Sequence, residues 1–240
     1  GGIVEICQGL AMDELVQVGK KITKPEKNLY AFAYPGTDSY FTLPFIWAFG
    51  GGLIDEKTNE VLINNEGSVR GLQFMLDLRT KEKIIPPNFD IANDYNNQLE
   101  DFKAGRVAMI FMGPWATANI LTGSEFKSDP KNLGVALLPS GPAGSGSPIG
   151  GHCYVVSASC KNPDIAFYFL DWINSPKNQV RFTVKNNLLP THRTAYDLPD
   201  VKSNEIAQAF RKQLEVARAR PVIPAGASLF PPLTQAYQDA

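Results

Sequence analysis

Cysteine, histidine and long apolar runs are scarce in this 240-residue chain, and each shortage removes a class of function. The three cysteines, Cys7, Cys153 and Cys160, make no CxxC pair and no Cys/His spacing of the kind that zinc and redox centres need. Cys153 and Cys160 flank a stretch read as an extended strand, which keeps them apart, so at most one disulfide can form and buried free thiols are expected. His192 and Arg193 fall in the loop 188–196, where no partner base or metal set surrounds them, and both are read as satisfying their own loop. No metal and no cofactor is expected. No apolar stretch is long enough to span a bilayer, and no basic segment followed by an apolar one marks a signal peptide. If the protein is exported, its signal has been removed. An excess of one charge is missing too: 23 Lys and Arg against 24 Asp and Glu leave neither the basic footprint of a nucleic-acid binder nor an acidic tail.

What is present is enough chain for one large domain or two small ones, organised around residues 102–120, FKAGRVAMIFMGPWATANI. Lys103 and Gly105 end a helix. Val107 to Met112 form a short apolar run, which in an α/β chain reads as a strand buried on both faces. Gly113-Pro114 then opens a new helix, because proline suits a first helical turn. Trp115 therefore stands at the C-terminal end of a buried strand, where open α/β sheets bind ligands. A lone tryptophan reads as core filling; this order of elements turns it toward a cleft.

Residues 29–34 repeat the pattern, a strand that Pro35-Gly36 turns into a helix over 39–49. Asp38 and Tyr40 thus lie at a second strand-to-helix junction. Asp38 also reads as a helix cap, and Phe41, Phe45 and Trp47 as core. Helices are expected over 13–23, 65–79, 92–104, 162–174, 176–185 and 203–220, with Val69, Leu72, Phe74, Met75 and Leu78 inward on the second and Ile206, Phe210, Leu214 and Ala217 forming one stripe on the last. Asp94, Glu100 and Asp101 lie along the outer face of 92–104 and are read as solvated. Further strands are expected over 133–138 and 152–157; the strands 29–34, 107–112 and 133–138 should share one sheet, because their apolar runs do not alternate. The glycine-rich stretch 139–151 does not continue as Gly-Lys-Ser/Thr into a helix, so a phosphate loop is a poor reading. A mobile, non-regular linker fits better, with Gly150 and Gly151 letting backbone amides approach a ligand.

Four stretches carry a resemblance. They are Phe102, Gly105, Ala108-Met109 and Gly113 to Trp115; TDSYFTLPFIWAFGGGLIDE at 37–56; PIGGHCYVVSASCKNPDIAFYFLDWINSP at 148–176; and the closing PVIPAGASLFPPLTQAYQDA at 221–240. Together, over about 12–240, they resemble the carbohydrate-binding group of ABC-importer extracellular solute-binding proteins, which includes the maltose- and trehalose-binding proteins. The resemblance implies an α/β, periplasmic-binding-protein-like fold of class II: two lobes joined by a hinge near 146–151, with mostly one lobe in this chain. Residues 1–145 would belong to the C-terminal lobe, 146–197 would supply the hinge strand and helices of the other lobe, and 198–240 would return with a ligand-contacting loop. Members have a strand-rich segment before the helix at Met12 and helices after the position of Ala240, so the chain is expected to be truncated at both ends. On the family's pattern Asp38 hydrogen-bonds and Tyr40 stacks on sugar, Trp115 stacks on it, and Phe230 presents an aromatic ring, with Gly150 and Gly151 at the border. The implied partners are a sugar or oligosaccharide and the membrane subunits of an importer. The implied location is periplasmic or extracellular, a cell-surface lipoprotein included, with membrane contact only through the importer or a removed lipid anchor.

Two other function classes stand beside this receptor reading. A carbohydrate-active enzyme would need an acid and a base or nucleophile facing each other across a bond, with Asp38 and Glu56 or Asp101 as the pair. An interaction module on the same fold would have no small-molecule pocket.

Overall fold

The computed structural model describes residues 9–36, 38–87, 93–224 and 226–239. The opening segment 1–8 with Cys7, together with Thr37, Ala92 and Ala240, lies outside the described residues. In chain order the elements are α1 (Met12–Ile22), β1 (Tyr30–Ala33), α2 (Leu43–Ala48), α3 (Glu66–Thr80), α4 (Asp94–Lys103), β2 (Val107–Ile110), α5 (Thr117–Ile120), β3 (Ser147–Ile149), α6 (Pro163–Asn174), α7 (Pro176–Asn186), α8 (Pro199–Lys202), α9 (Glu205–Leu214), β4 (Ala217–Ala219) and α10 (Phe230–Asp239).

β1 and β2 pair in parallel, Tyr30 opposite Val107 and Ala33 opposite Ile110. Parallel strands need a long crossover, here the chain through α2, α3 and α4. On the other side of β1 the Ile84 carbonyl accepts the N–H groups of Ala31 and Phe32 at 3.1 and 3.2 Å. The main core gathers around this pair, with Leu15, Phe32, Phe41, Phe45, Met75 and Phe111 among its buried members. Every residue of α2 is buried. It reaches that depth because α3 lies on it backbone to backbone: a Cβ on Gly71 would stand 2.6 Å from the Phe45 carbonyl oxygen and 2.8 Å from the Ile46 Cα. Asn65 caps α3 by accepting the Ser68 N–H at 2.8 Å. A second, smaller core joins α7, α8 and α9 through Val180, Ala195, Tyr196, Val201 and Ala207.

The structure departs from the sequence expectations at several points. Residues 133–138 form no strand, and the sheet through β1 has two strands among the described residues. The segment instead faces β2 across an apolar cavity of about 560 Å³, lined by Val107, Met109, Phe111, Leu133, Val135 and Leu137 among others. A strand requires a neighbour for its backbone, and here the Leu138 N–H is taken by the Gln213 side chain at 2.8 Å. The stretch 139–151 is partly regular, since β3 pairs in parallel with β4. The helix expected over 203–220 ends at Leu214, and Ala217 belongs to β4. Residues 152–157 form no strand, and Tyr154 and Val155 are exposed. Cys153 and Cys160 are free thiols, the first exposed and the second half-buried, so neither is the buried thiol expected. Val69, expected inward, is exposed. α6 has the expected span, yet none of its residues is buried, and Ile165, Phe167, Tyr168, Phe169 and Trp172 are exposed.

Candidate functional site

The first junction begins where β1 ends. Pro35-Gly36 turns the chain, and the Gly36 N–H donates to the Asp94 carboxylate at 2.6 Å. Asp38 then caps the 3-10 turn Ser39–Phe41, accepting the Tyr40 N–H at 2.8 Å. Of the two readings open in the sequence, the cap is therefore realised, and the carboxylate remains exposed at the site. Tyr40 is half-buried and donates its hydroxyl to the Pro148 carbonyl at 2.9 Å. Burial pushes this hydroxyl above the ordinary tyrosine range; the Arg220 guanidinium opposes the rise and the Asp38 carboxylate adds to it.

The second junction follows β2. Gly113 precedes a 3-10 turn, Pro114–Ala116, that leads into α5. Glycine at 113 leaves room for the indole in this position, because a Cβ there would fall 2.0 Å from Cζ3 of Trp115 and displace the ring. Trp115 is 46 % exposed, which excludes it from the core. Its ring packs edge-on to Tyr40 with centroids 6.2 Å apart, and its Nε1–H donates to the Tyr95 hydroxyl at 2.9 Å.

Beyond Pro148 the chain leaves β3 at Ile149 and runs through Gly150 and Gly151, both exposed. A Cβ on Gly150 would lie 3.5 Å from Arg220 Nη2, and the Arg220 guanidinium stands 5.9 Å from the Phe230 ring centre. Phe230 opens α10 and packs against the cluster of Leu43, Ile46 and Trp47; its carbonyl accepts the Ser39 hydroxyl at 3.3 Å. Asp38, Tyr40 and Trp115 are thus brought into one neighbourhood directly. Gly150 and Phe230 reach it through Pro148, Ser39 and Arg220, while Gly151 has no atom within 4 Å of an added Cβ. None of these six residues lines the cavity beside β2.

Sequence reasoning missed three residues here. Arg220 falls at the end of the helix expected over 203–220, which stops at Leu214. Asp94, expected to be solvated, is 4 % exposed and accepts from Gly36 and Gln98. Tyr95 beside it was not singled out, and no local pattern reveals partners at Gly36 and Trp115. The other two carboxylates of that helix behave more nearly as read: Glu100 pairs with Lys103 and Asp101 with Arg106, each at 2.7 Å.

Comparison with known proteins places the chain in a family. Residues 9–180 match the bacterial extracellular solute-binding proteins. The chain is 27% identical over 218 residues to a maltotriose-binding protein of Pyrococcus abyssi, covering 88% of this chain and 45% of that protein. It superposes with a TM-score of 0.88 and 35% identity on the GacH receptor of Streptomyces glaucescens, solved unliganded and with acarbose, over 96% of this chain and 58% of that one. The maltose/maltodextrin-binding domain of Bdellovibrio bacteriovorus bound to maltotriose gives a TM-score of 0.82 at 25% identity, over 96% and 61%. The chain spans about half the length of the curated relatives it matches. Its fold is periplasmic-binding-protein-like, and by its matched residues the chain belongs to the bacterial extracellular solute-binding protein family.

Proposed function

We propose that this chain supplies the aromatic side of a carbohydrate-binding cleft in a non-catalytic receptor that delivers a sugar or oligosaccharide to the membrane subunits of an ABC importer, in the periplasm or at the outer cell surface. The observation that carries the reading is the pairing of Tyr40 with a half-exposed Trp115 at the ends of adjacent parallel strands. Aromatic faces bind the apolar faces of sugar rings, while carboxylates and amides take the hydroxyls. Asp38, Tyr40, Trp115, Gly150, Gly151 and Phe230 are the proposed contacts, with Arg220 added at the rim. The maltotriose, acarbose and maltodextrin relatives support the ligand class.

The lobe assignment is proposed as 1–145 for the lobe carrying the site, 146–197 for the other and 198–240 for the return. Packing of Val201 and Ala207 with Val180 supports grouping the start of the return, α8 and the first turn of α9, with α7. Closure about 146–151 follows if the ligand contacts both lobes, since it then favours the closed state by its differential affinity. An enzyme reading is less well supported, because Asp101 is engaged by Arg106. Assaying glycoside hydrolysis alongside maltotriose binding separates the two.

The decisive measurement is unfolding and maltotriose affinity on Trp115→Ala. Affinity should fall by about 1–3 kcal/mol, on the scale of flat rings stacked on aromatics, with stability almost unchanged. A core tryptophan would instead cost about 3–5 kcal/mol of stability on truncation. Large destabilisation with affinity intact returns Trp115 to a packing role.

A further inference from the structure

The first turn of α4 touches both junctions through consecutive residues. Asp94 accepts the Gly36 N–H at 2.6 Å and also the Gln98 side-chain amide, and it is 4 % exposed. A buried carboxylate persists only with its donors in place. The loop two residues ahead of Asp38 is therefore fastened to α4. Tyr95 packs its ring 6.3 Å from Phe41, which in turn lies edge-on to Tyr40 at 5.4 Å. The Tyr95 hydroxyl accepts the Trp115 indole N–H at 2.9 Å. A half-exposed indole without such a partner has other staggered rotamers open to it.

We propose that Asp94 and Tyr95 are positioning residues that set the orientation of Tyr40 against Trp115 before any ligand arrives. The proposal rests on the sugar-binding reading for its purpose and on the hydrogen bonds alone for its mechanism. Holding both rings in advance removes an ordering cost that binding would otherwise bear. Asp94 is buried, so its effect on affinity has to pass through the loop it holds.

The test uses the 240-residue chain with isotope-labelled tryptophan, the Trp115 indole N–H signal being assigned by its loss in Trp115→Phe. Maltotriose is the probe. Tyr95→Phe keeps the ring against Phe41 and removes the acceptor. In the ligand-free chain the Trp115 signal should then move and its hydrogen exchange accelerate, and maltotriose affinity should fall about three- to tenfold, the scale of one lost hydrogen bond, at an unchanged unfolding midpoint. Asp94→Ala should move the same signal through displacement of the Tyr40 ring and weaken binding. Asp94→Asn, which retains an acceptor for Gly36, should recover most of both. An unmoved indole signal in Tyr95→Phe overturns the proposal, as does weakened binding in Asp94→Ala with that signal unchanged. If the parent chain fails to bind maltotriose while the indole responses hold, maltotriose is removed as a ligand of this chain and the positioning role stands.

Discussion

At the scale of single residues, the most consequential contact away from the site joins two phenols. Tyr34 donates its hydroxyl to the Met75 carbonyl at 2.9 Å, so the 2.8 Å contact with Tyr237 has Tyr237 as donor. Burial is the leading cause that raises both hydroxyls above the ordinary range. The native state thus holds these protons at a pH where the unfolded chain, with tyrosines near about 10, releases them. Their stability contribution is complete below that value and declines as pH rises through it. Tyr237→Phe removes one of the two titrating groups. Its thermal unfolding followed from about pH 9 to about pH 11 should therefore decline less steeply than that of the parent, at a cost near neutrality of about 1 kcal/mol for the lost hydrogen bond. Equal slopes in the two proteins would remove the pair from alkaline unfolding.

At the scale of elements, the seat of α3 on α2 is set by a missing side chain. Gly71→Ala would gain about 1 kcal/mol of helix propensity in an open position, yet here the added methyl meets the Phe45 carbonyl at 2.6 Å. Overpacking costs of about 1–3 kcal/mol should outweigh that gain, so urea unfolding should reveal a net loss; a stabilised variant would mean the two helices are not in backbone contact. Such features separate what was legible in the chain from what was not. Helix starts with local causes were readable: the spans expected from 65, 162 and 176 begin where Asn65 caps α3 and where Pro163 and Pro176 stand in the first turns of α6 and α7. The junctions carrying Tyr40 and Trp115 were readable as well, because glycine and proline punctuate a short apolar run. Segments whose form depends on a distant partner were not. Residues 133–138 have the apolar run of a strand but no strand beside them among the described residues, and Ala217 continues a helical stripe yet pairs with Ser147 of β3. Asp94 failed for the same reason, since its donor Gly36 lies 58 residues earlier.

At the scale of the whole molecule, the apolar surface is unevenly distributed. The main core closes around β1, β2 and α2, whereas α6 carries Phe167 at 61% exposure, Tyr168 at 75% and Trp172 at 51%. Scattered apolar residues are ordinary on a surface; a contiguous helix of them is not. A dye that fluoresces in apolar surroundings should therefore light up on this chain under native conditions, and Phe167→Glu with Phe169→Glu should dim it while the unfolding transition of the main core is retained. An undimmed signal would assign the dye to the cavity beside β2. The same surface ties the chain's colloidal behaviour to temperature. Apolar association is driven largely by entropy near 25 °C and weakens on cooling, so sedimentation at about 5 °C should give a smaller average mass than at about 25 °C. Any contact between copies through α6 would loosen on chilling.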